Sequence, residues 1–315
     1  MQDTVCTLKE PTNKINREMK RMVYKGVFPV LVTPFTDSGD LDIESMRNLV
    51  RFELDSKVDG LTILGITSEA HKLQDEEREK IIGCVVDEVN SKIPVVVGCG
   101  HFSTEIAIKL SKKAQDIGAD ATMVYPQQLL KPNPNAVIEH YKKIRSKLDI
   151  EIVIQDEPNF AKVHMDIETI KKLSDLDFKY IKLEDAPTPH KISEIRKNIT
   201  REMTIFGGLG GVFCLEELFR GANGIMTGFA YPEILKDIYC KFISGEINET
   251  KKIFYKYLPL IRYEAQPQIG LSIRKEIYRI RKIINSSYCR KPSLNADEIT
   301  IKELNDLIVL LGLGN

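Results

Sequence analysis

Residues 94–118 read PVVVGCGHFSTEIAIKLSKKAQDIG and contain one short apolar run followed by one amphipathic stretch. The run Pro94–Val97 is rich in β-branched residues, as are strands that are buried on both faces. The stretch Ser103–Ile117 begins with Ser-Thr-Glu, a typical helix start, and Gly118 follows it as a natural C-cap. A strand and a helix in this order predict a βα unit with parallel pairing.

The same unit recurs along the chain from Gly26 onward. The predicted strands are Val27–Val32, Leu61–Leu64, Pro94–Val97, Ala121–Tyr125, Glu151–Gln155, Tyr180–Leu183, Thr204–Phe206 and Gly224–Met226. The predicted helices are Ile43–Ser56, Asp75–Val89, Ser103–Ile117, Asn135–Leu148, Asp166–Leu173, Lys191–Ile199 and Val212–Arg220. Eight such units favour the α/β class and a closed (β/α)8 TIM barrel over an open doubly wound sheet. No GxGxxG follows the first strand, which argues against a dinucleotide-binding fold.

After the eighth strand the pattern changes to helices alone. These predicted helices are Pro232–Ser244, Glu246–Ala265, Gln268–Ser287 and Asp297–Leu311. We therefore expect a polar N-terminal extension (residues 1–25), a barrel (26–231) and a C-terminal helical region (232–315), which packs on the barrel or forms an oligomer interface.

Composition and charge exclude several classes of protein. Lys plus Arg and Asp plus Glu both total 45, so the formal net charge is zero and argues against nucleic-acid binding. The N-terminus has no apolar signal-peptide core, and no window approaches a membrane span. The six cysteines are scattered without metal-ligand spacing, which indicates reduced core thiols. We expect a cytoplasmic protein without a metal or cofactor.

In a barrel of this type, active-site residues lie at the C-terminal ends of the strands. Lys182 lies inside the apolar run Tyr180–Leu183 and must point to the barrel interior or to the helix layer. Burial lowers the pKa of a lysine, and a neutral amine can form a Schiff base with a ketone. The alternative is a structural lysine paired with Glu184 or Asp185.

Two glycine-containing loops follow other strands. Gly65-Ile66-Thr67-Ser68-Glu69 offers backbone N–H groups and hydroxyls that suit a carboxylate, or is an ordinary capped turn. Gly207–Gly211 has four glycines in five positions and permits close approach to a ligand, or is only a tight turn. From these strand ends we predict that Gly65, Thr67, Ser68, Gly208 and Thr227 bind the substrate.

These residues together resemble the dihydrodipicolinate synthase / N-acetylneuraminate lyase family. The similarity runs from about Gly26 to Gly228 and includes the opening segment Val27–Phe35, the carboxylate loop Gly65–Glu69 and the strand Ile181-Lys182. The resemblance implies a (β/α)8 barrel with class I aldolase or dehydratase chemistry. It also implies that Lys182 binds pyruvate or another 2-oxo acid, and that the chain forms a homotetramer or another homo-oligomer.

The chain departs from the family pattern at several site positions. Gln155 stands where the family has a proton-relaying Tyr, and an amide does not titrate as a phenol does. Ile66 replaces a hydroxyl residue, Gln127-Gln128 replaces a Tyr pair, and Asn159-Phe160-Ala161 lacks the synthase's Arg. We therefore predict that the chain is not an authentic dihydrodipicolinate synthase.

A general acid/base is still required for Schiff-base chemistry. Tyr125, Glu184 and Asp156 are candidates, and Glu184 shares the side of Lys182 because side chains alternate along a strand. Gln155 could orient the carboxylate or a water. His101 and His71 also lie near strand ends, each without a visible partner.

Two hypotheses from different classes follow from the sequence. The first is a lyase that forms a Schiff base with a small 2-oxo acid, for aldol cleavage, condensation or dehydration. The second is a non-catalytic barrel that binds a small carboxylic acid as a sensor or partner protein.

Overall fold

The computed structural model describes residues 24–126 and 133–314. The N-terminal extension therefore lies almost wholly outside the described residues, and Gln127-Gln128 lies outside them as well. The division at residues 25 and 231 stays a prediction.

Eight parallel strands form the sheet, in the order β1-β8-β7-β6-β5-β4-β3-β2. Their bounds are β1 Gly26–Val27, β2 Leu61–Ile63, β3 Val95–Gly98, β4 Ala121–Val124, β5 Glu151–Asp156, β6 Tyr180–Leu183, β7 Thr204–Gly207 and β8 Gly224–Ile225. A parallel bridge between Val30 and Thr62 joins the segment after β1 to β2 and closes the sheet. The predicted (β/α)8 barrel is confirmed.

The first strand is shorter than the predicted Val27–Val32. Pro29 has no N–H group and interrupts the regular ladder. The segment nevertheless keeps its place in the wall, because the Val30 N–H donates to the Thr227 carbonyl (2.9 Å) and the Leu31 N–H donates to the Thr62 carbonyl (2.9 Å).

Helices follow the strands and cover the outside of the sheet. In the barrel they are α1 Ile43–Asp55, α2 Asp75–Val89, α3 Thr104–Ile117, α4 Pro134–Arg145, α5 Pro158–Ala161, α6 Ile167–Asp175, α7 Thr188–Asn198 and α8 Cys214–Phe219. The caps that the sequence indicates are present: the Asp42 carboxylate accepts from the Ser45 N–H (2.9 Å), and Gly118 ends α3 at φ 118°. The short helix α5 was not predicted.

Four further helices follow β8, namely α9 Pro232–Ile243, α10 Ile247–Glu264, α11 Gly270–Ile280 and α12 Glu298–Leu310. Helix α9 packs against β1 and α10, and α10 also contacts α11 and α12. The predicted helix Gln268–Ser287 is shorter in the structure, where the chain leaves the helix after Ile280. The segment after α11 runs back to the loop that follows β2, where the Arg290 N–H donates to the Glu69 carboxylate (3.0 Å).

The core has two parts, as a filled barrel requires. The barrel interior is packed by Tyr24, Phe28, Val30, Val96, Ala121, Met123, Val153, Tyr180, Phe206 and Met226. A larger cluster fills the layer between the strands and the helices. The cysteines in the described ranges are free, and four of the five are buried. In the same ranges, no helix is long and apolar enough to span a bilayer.

Candidate active site

Lys182 points into the barrel interior. Tyr180 packs in the interior cluster, and Lys182 shares its side of β6 because side chains alternate along a strand. Lys182 is paired in register with Gln155 on β5, and only 5% of it is exposed. Of the two directions open from the sequence, the structure therefore selects the interior.

The buried amine has a carboxylate partner directly after its own strand. The Lys182 Nζ lies 2.9 Å from the Glu184 Oε2, and Glu184 is itself buried. The Gln155 Nε2 donates to the same oxygen at 3.0 Å. The structure thus brings together three of the predicted catalytic residues in one hydrogen-bonded group. The pairing alternative from the sequence is also present, since the lysine and Glu184 form an ion pair.

Gly208 makes this position of Glu184 possible. A Cβ atom at residue 208 would lie 2.4 Å from the Glu184 Cγ, far inside van der Waals contact. The other carboxylate oxygen, Oε1, accepts from the Leu209 N–H at 3.4 Å. The glycine-rich loop after β7 therefore holds Glu184 in place, so Gly208 contacts the acid that faces Lys182.

A cavity of about 350 Å³ opens at the C-terminal ends of β2 to β5. Its wall includes Gly65, Met123, Tyr125, Gln155 and Phe160. Lys182 and Glu184 do not line it, but Gln155 contacts both the cavity and Glu184. The cavity and the buried ion pair are therefore separated by the side chain of Gln155.

Tyr125 stands at the cavity end of β4. Its ring lies edge-on to Phe160 with 5.2 Å between ring centroids. Gly100 leaves room for this ring, since a Cβ there would come within 2.3 Å of it. Burial raises the pKa of the Tyr125 phenol, against the opposing effect of Arg78. The phenol is therefore protonated at neutral pH and could donate a hydrogen bond into the cavity.

The loop after β2 is a tight turn whose hydroxyls serve different partners. The Ser68 Oγ donates to the Leu31 carbonyl (2.5 Å) and accepts from the Gly65 N–H (3.1 Å), so this hydroxyl is hydrogen-bonded to the backbone on both sides. Thr67 is exposed and does not line the cavity, whereas Ile66 and Gly65 do. Thr227 is buried, and its carbonyl accepts from the Val30 N–H. The predicted substrate-binding residues are therefore not gathered around the cavity, apart from Gly65.

Asp156 faces away from the ion pair of Lys182. Its Oδ2 accepts from the Lys191 Nζ at 2.5 Å, and the same amine contacts Asp185 at 2.8 Å. Burial raises the pKa of Asp156 to about 6, and Lys191 opposes the effect. Asp156 and Asp185 are thus partners of Lys191 on the helix side of the sheet.

Both histidines named from the sequence line the cavity. The His101 Nδ1 accepts from the Ser103 N–H at 2.9 Å. Burial lowers the pKa of His71, and Lys72 lowers it further, so this ring is neutral at neutral pH.

Two residues near the site were missed by the sequence analysis. Arg78 on α2 lines the cavity, and Glu217 on α8 lies buried behind the loop after β7. The Glu217 carboxylate accepts from the Thr188 hydroxyl at 2.5 Å, and burial raises the pKa of this acid to about 7. Both residues lie in charged helical stretches, where a sequence pattern does not separate them from solvated neighbours. Within residues 24–126 and 133–314, no group of three or more His, Cys, Asp or Glu could hold a metal ion.

A (β/α)8 barrel with a buried lysine and its carboxylate at the end of the sixth strand defines a class of candidate Schiff-base lyases. The chain belongs to the dihydrodipicolinate synthetase family, whose model matches residues 23–310. It is 29% identical to a 4-hydroxy-tetrahydrodipicolinate synthase of Thermotoga neapolitana, over 92% of this chain and all of that protein. It is 28% identical to an L-2-keto-3-deoxyarabonate dehydratase of Azospirillum brasilense, over 85% of this chain and 88% of that protein.

The solved structures agree with this assignment. The dihydrodipicolinate synthase of Rhodopseudomonas palustris superposes with a TM-score of 0.85 at 29% identity, over 91% of this chain and 97% of that one. The resemblance, the fold and the prediction of an enzyme of this family are confirmed.

Proposed function

We propose that the chain is a lyase that forms an imine between Lys182 and the keto carbon of a 2-oxo acid. The observation that carries the proposal is the buried contact of 2.9 Å between the Lys182 Nζ and the Glu184 carboxylate. A lysine must lose a proton before it attacks a carbonyl, and Glu184 is positioned to accept it.

The steps follow from these two groups. The Nζ attacks the keto carbon, and the carbonyl oxygen leaves as water with one proton from the attacking nitrogen and one from the Glu184 carboxyl. The protonated imine then accepts an electron pair from a bond at the neighbouring carbon. If this is a C–H bond, its proton passes to the Glu184 carboxylate. If it is a C–C bond, the hydroxyl of the leaving fragment gives its proton to that carboxylate and the fragment departs as a carbonyl compound. Aldol cleavage and dehydration both begin in this way, and hydrolysis of the imine afterwards returns the free lysine.

Gln155 orients the carboxylate of Glu184. Its amide N–H donates to the Glu184 Oε2, and its side-chain carbonyl oxygen is chemically an acceptor in a residue that lines the cavity. It can hold a water or a substrate hydroxyl, but it cannot relay a proton as a phenol would. For this reason we propose that the reaction is an aldol cleavage, condensation or dehydration other than that of dihydrodipicolinate synthase. Tyr125 is the second acid/base candidate, at the end of the neighbouring strand β4, where Val124 is in register with Ile154.

We also propose that Gly65, Thr67, Ser68, Gly208 and Thr227 bind the substrate, and that the protein is cytoplasmic and homo-oligomeric. The named relatives act as a synthase and a dehydratase, which supports a lyase but does not choose between C–C and C–O bond chemistry. Size-exclusion chromatography with light scattering measures the oligomeric state.

Reductive trapping tests the proposal. The chain is incubated with cyanoborohydride and each of several 2-oxo acids, pyruvate among them, and the modified residue is located by peptide mass spectrometry. We expect one adduct, at Lys182, which is lost in Lys182→Met and kept in the matched control Lys179→Met at the surface before β6. An absence of adducts with every acid would refute the imine, and ligand binding without adducts would favour the non-catalytic sensor.

Turnover with two substrates tests the second part of the proposal. Incubation of the chain with pyruvate and aspartate semialdehyde should give no family-typical rate. A normal synthase rate would show that Gln155 is compatible with the synthase reaction.

A further inference from the structure

Glu69 ends the turn that follows β2, and its side chain is almost fully buried. The Glu69 Oε1 accepts from the Lys275 Nζ at 2.6 Å, and the Oε2 accepts from the Lys72 Nζ at 2.9 Å. The Arg290 N–H donates to the same Oε2 at 3.0 Å. Two cations and one backbone donor compensate the buried charge, so the carboxylate is held in one position.

The backbone of Glu69 joins two single turns of 3₁₀ helix, Ile66–Ser68 and Ala70–Lys72. Its φ angle is 59°, in the left-handed region that residues other than glycine seldom adopt. Such a conformation persists where the surrounding contacts determine it. The three donors to the carboxylate are contacts of this kind, so the side chain of Glu69 also fixes the course of the backbone between the two turns.

The residues on both sides of Glu69 form one part of the cavity wall, and we call residues 64–73 the wall segment. The members of the wall segment that line the cavity are Leu64, Gly65, Ile66, Ala70, His71 and Leu73. Glu69 does not line the cavity itself, so any effect that it has on a ligand passes through these neighbours. A shift of the bend at Glu69 would therefore change the shape of the cavity.

The wall segment is bound to residues 290–293 of the C-terminal helical region, which we call the strap. The Lys72 Nζ donates to the Arg290 carbonyl (2.6 Å) and to the Ser293 Oγ (2.5 Å), in addition to Glu69. The Arg290 guanidinium donates in return to the Lys72 carbonyl (3.1 Å) and forms an ion pair with Glu77 on α2. Lys72 and the strap are therefore joined in both directions, across more than two hundred positions of sequence.

Phe35 orders the two cations that reach Glu69 and the strap. The Lys275 Nζ lies 4.5 Å from the centroid of its ring, and the Arg290 guanidinium carbon lies 4.2 Å from it. Both distances are within the range of a cation–π contact. Because Phe35 is fully buried, the partners of Glu69 are themselves fixed against the segment that follows β1.

We propose that Lys72 and Glu69 are positioning residues for the cavity, and that the strap makes the C-terminal helical region part of the substrate site. The inference rests on the proposed function, because it takes the cavity beside Gln155 as the place where the 2-oxo acid binds. Loss of Lys72 should weaken the binding of the acid and leave the chemistry at Lys182 intact, since Glu184 still contacts the amine.

Lys72→Met tests the inference, because it removes the amine and keeps most of the aliphatic stem. Glu69 retains Lys275 in this variant, so the fold is kept. Trapping at Lys182 is measured against the concentration of pyruvate. We expect the half-saturating concentration to rise at least about fivefold, and the rate at saturation to stay within about twofold, because charge-assisted hydrogen bonds of the wall segment are lost.

Two variants serve as controls. Lys72→Arg keeps a charged donor, and its half-saturating concentration should lie closer to that of the natural chain. Lys142→Met removes a lysine that pairs with Glu139 at the same spacing of three residues, but on the surface, and it should change neither quantity. A half-saturating concentration in Lys72→Met equal to the natural value would overturn the inference, as would a loss of trapping that excess pyruvate does not restore.

Amide hydrogen exchange keeps the inference separate from the imine, because it needs no ligand. The natural chain and Lys72→Met are compared by mass spectrometry of peptides. We expect faster exchange in residues 64–73 and 290–293 and unchanged exchange in β5 and β6. This local change would support the strap even if no adduct formed at Lys182 in the natural chain, a result that would refute the imine alone. Unchanged exchange in the wall segment, or an equal increase along the whole chain, would count against the strap.

Discussion

The substitution Gly208→Ala tests whether the position of Glu184 matters for the reaction. The new Cβ would lie 2.4 Å from the Glu184 Cγ and 2.6 Å from its Oε1, whereas carbon atoms in contact stand about 3.5 Å apart. Glu184 must therefore move by about 1 Å. Its hydrogen bond to the Lys182 Nζ is 2.9 Å long and does not survive such a shift if the movement is away from the lysine.

A charge-assisted hydrogen bond contributes about 1.5–3 kcal/mol, so we expect the rate of pyruvate trapping at Lys182 to fall by about 10- to 150-fold. The overpacking itself should lower the free energy of unfolding by about 1–3 kcal/mol. The trapping rate is followed by intact mass, and urea unfolding measures the stability.

Gly83→Ala is the matched control, because a Cβ at this position of α2 meets nothing within 4 Å. It should raise the stability by up to about 1 kcal/mol and leave trapping unchanged. If Gly208→Ala is folded and traps pyruvate within twofold of the natural rate, the position of Glu184 is not what activates Lys182.

Two further predictions concern buried charges. Glu217 has a pKa of about 7 in the folded chain and about 4.5 when unfolded, so the folded state binds the extra proton between these values and loses stability as the pH rises from about 4.5 to 7. Glu217→Gln should remove this loss of about 3 kcal/mol. Urea unfolding of the natural chain and of the variant at pH 5 and pH 8 measures the difference, and an equal change in the free energy of unfolding of both proteins would contradict the prediction. Glu69→Gln removes the negative charge 2.6 Å from the fully buried Lys275 and should cost about 3–5 kcal/mol, whereas Glu79→Gln, which removes the charge of an exposed pair with Lys113, should cost less than about 1 kcal/mol. Similar melting temperatures for the last two variants would refute that difference.

The strands and the shared side of Lys182 and Glu184 could be predicted because they depend on local patterns, whereas the sequence left open whether that side faces the barrel interior or the helix layer. Apolar β-branched runs with intervening amphipathic stretches determine the barrel, and the two-residue period places Glu184 beside Lys182. The caps at Asp42 and Gly118 follow from single residues. These features need no knowledge of distant contacts.

The wall of the cavity could not be predicted in the same way. Thr67 is adjacent to Ser68, but only the folded turn shows which hydroxyl bonds the backbone and which is exposed. Asp156 follows Gln155, yet it binds Lys191 of a later helix, a contact between residues 35 positions apart. Arg78 resembles its solvated neighbours until α2 is placed against the end of β3. In each case the decisive partner is distant in sequence.

Gln155, which stands where the family has a Tyr, is hydrogen-bonded to Glu184. The Glu184 Oε2 already accepts from the Lys182 amine, and Gln155 supplies a second, uncharged donor to that oxygen. A Glu at residue 155 would place two carboxylates about 3 Å apart, where both cannot be ionised. A Tyr alone would restore a phenol but would remove the amide that orients the acid. In the proposed reaction, therefore, the proton acceptor Glu184 stands two residues after the nucleophile Lys182, and Gln155 on β5 positions the acid beside the cavity.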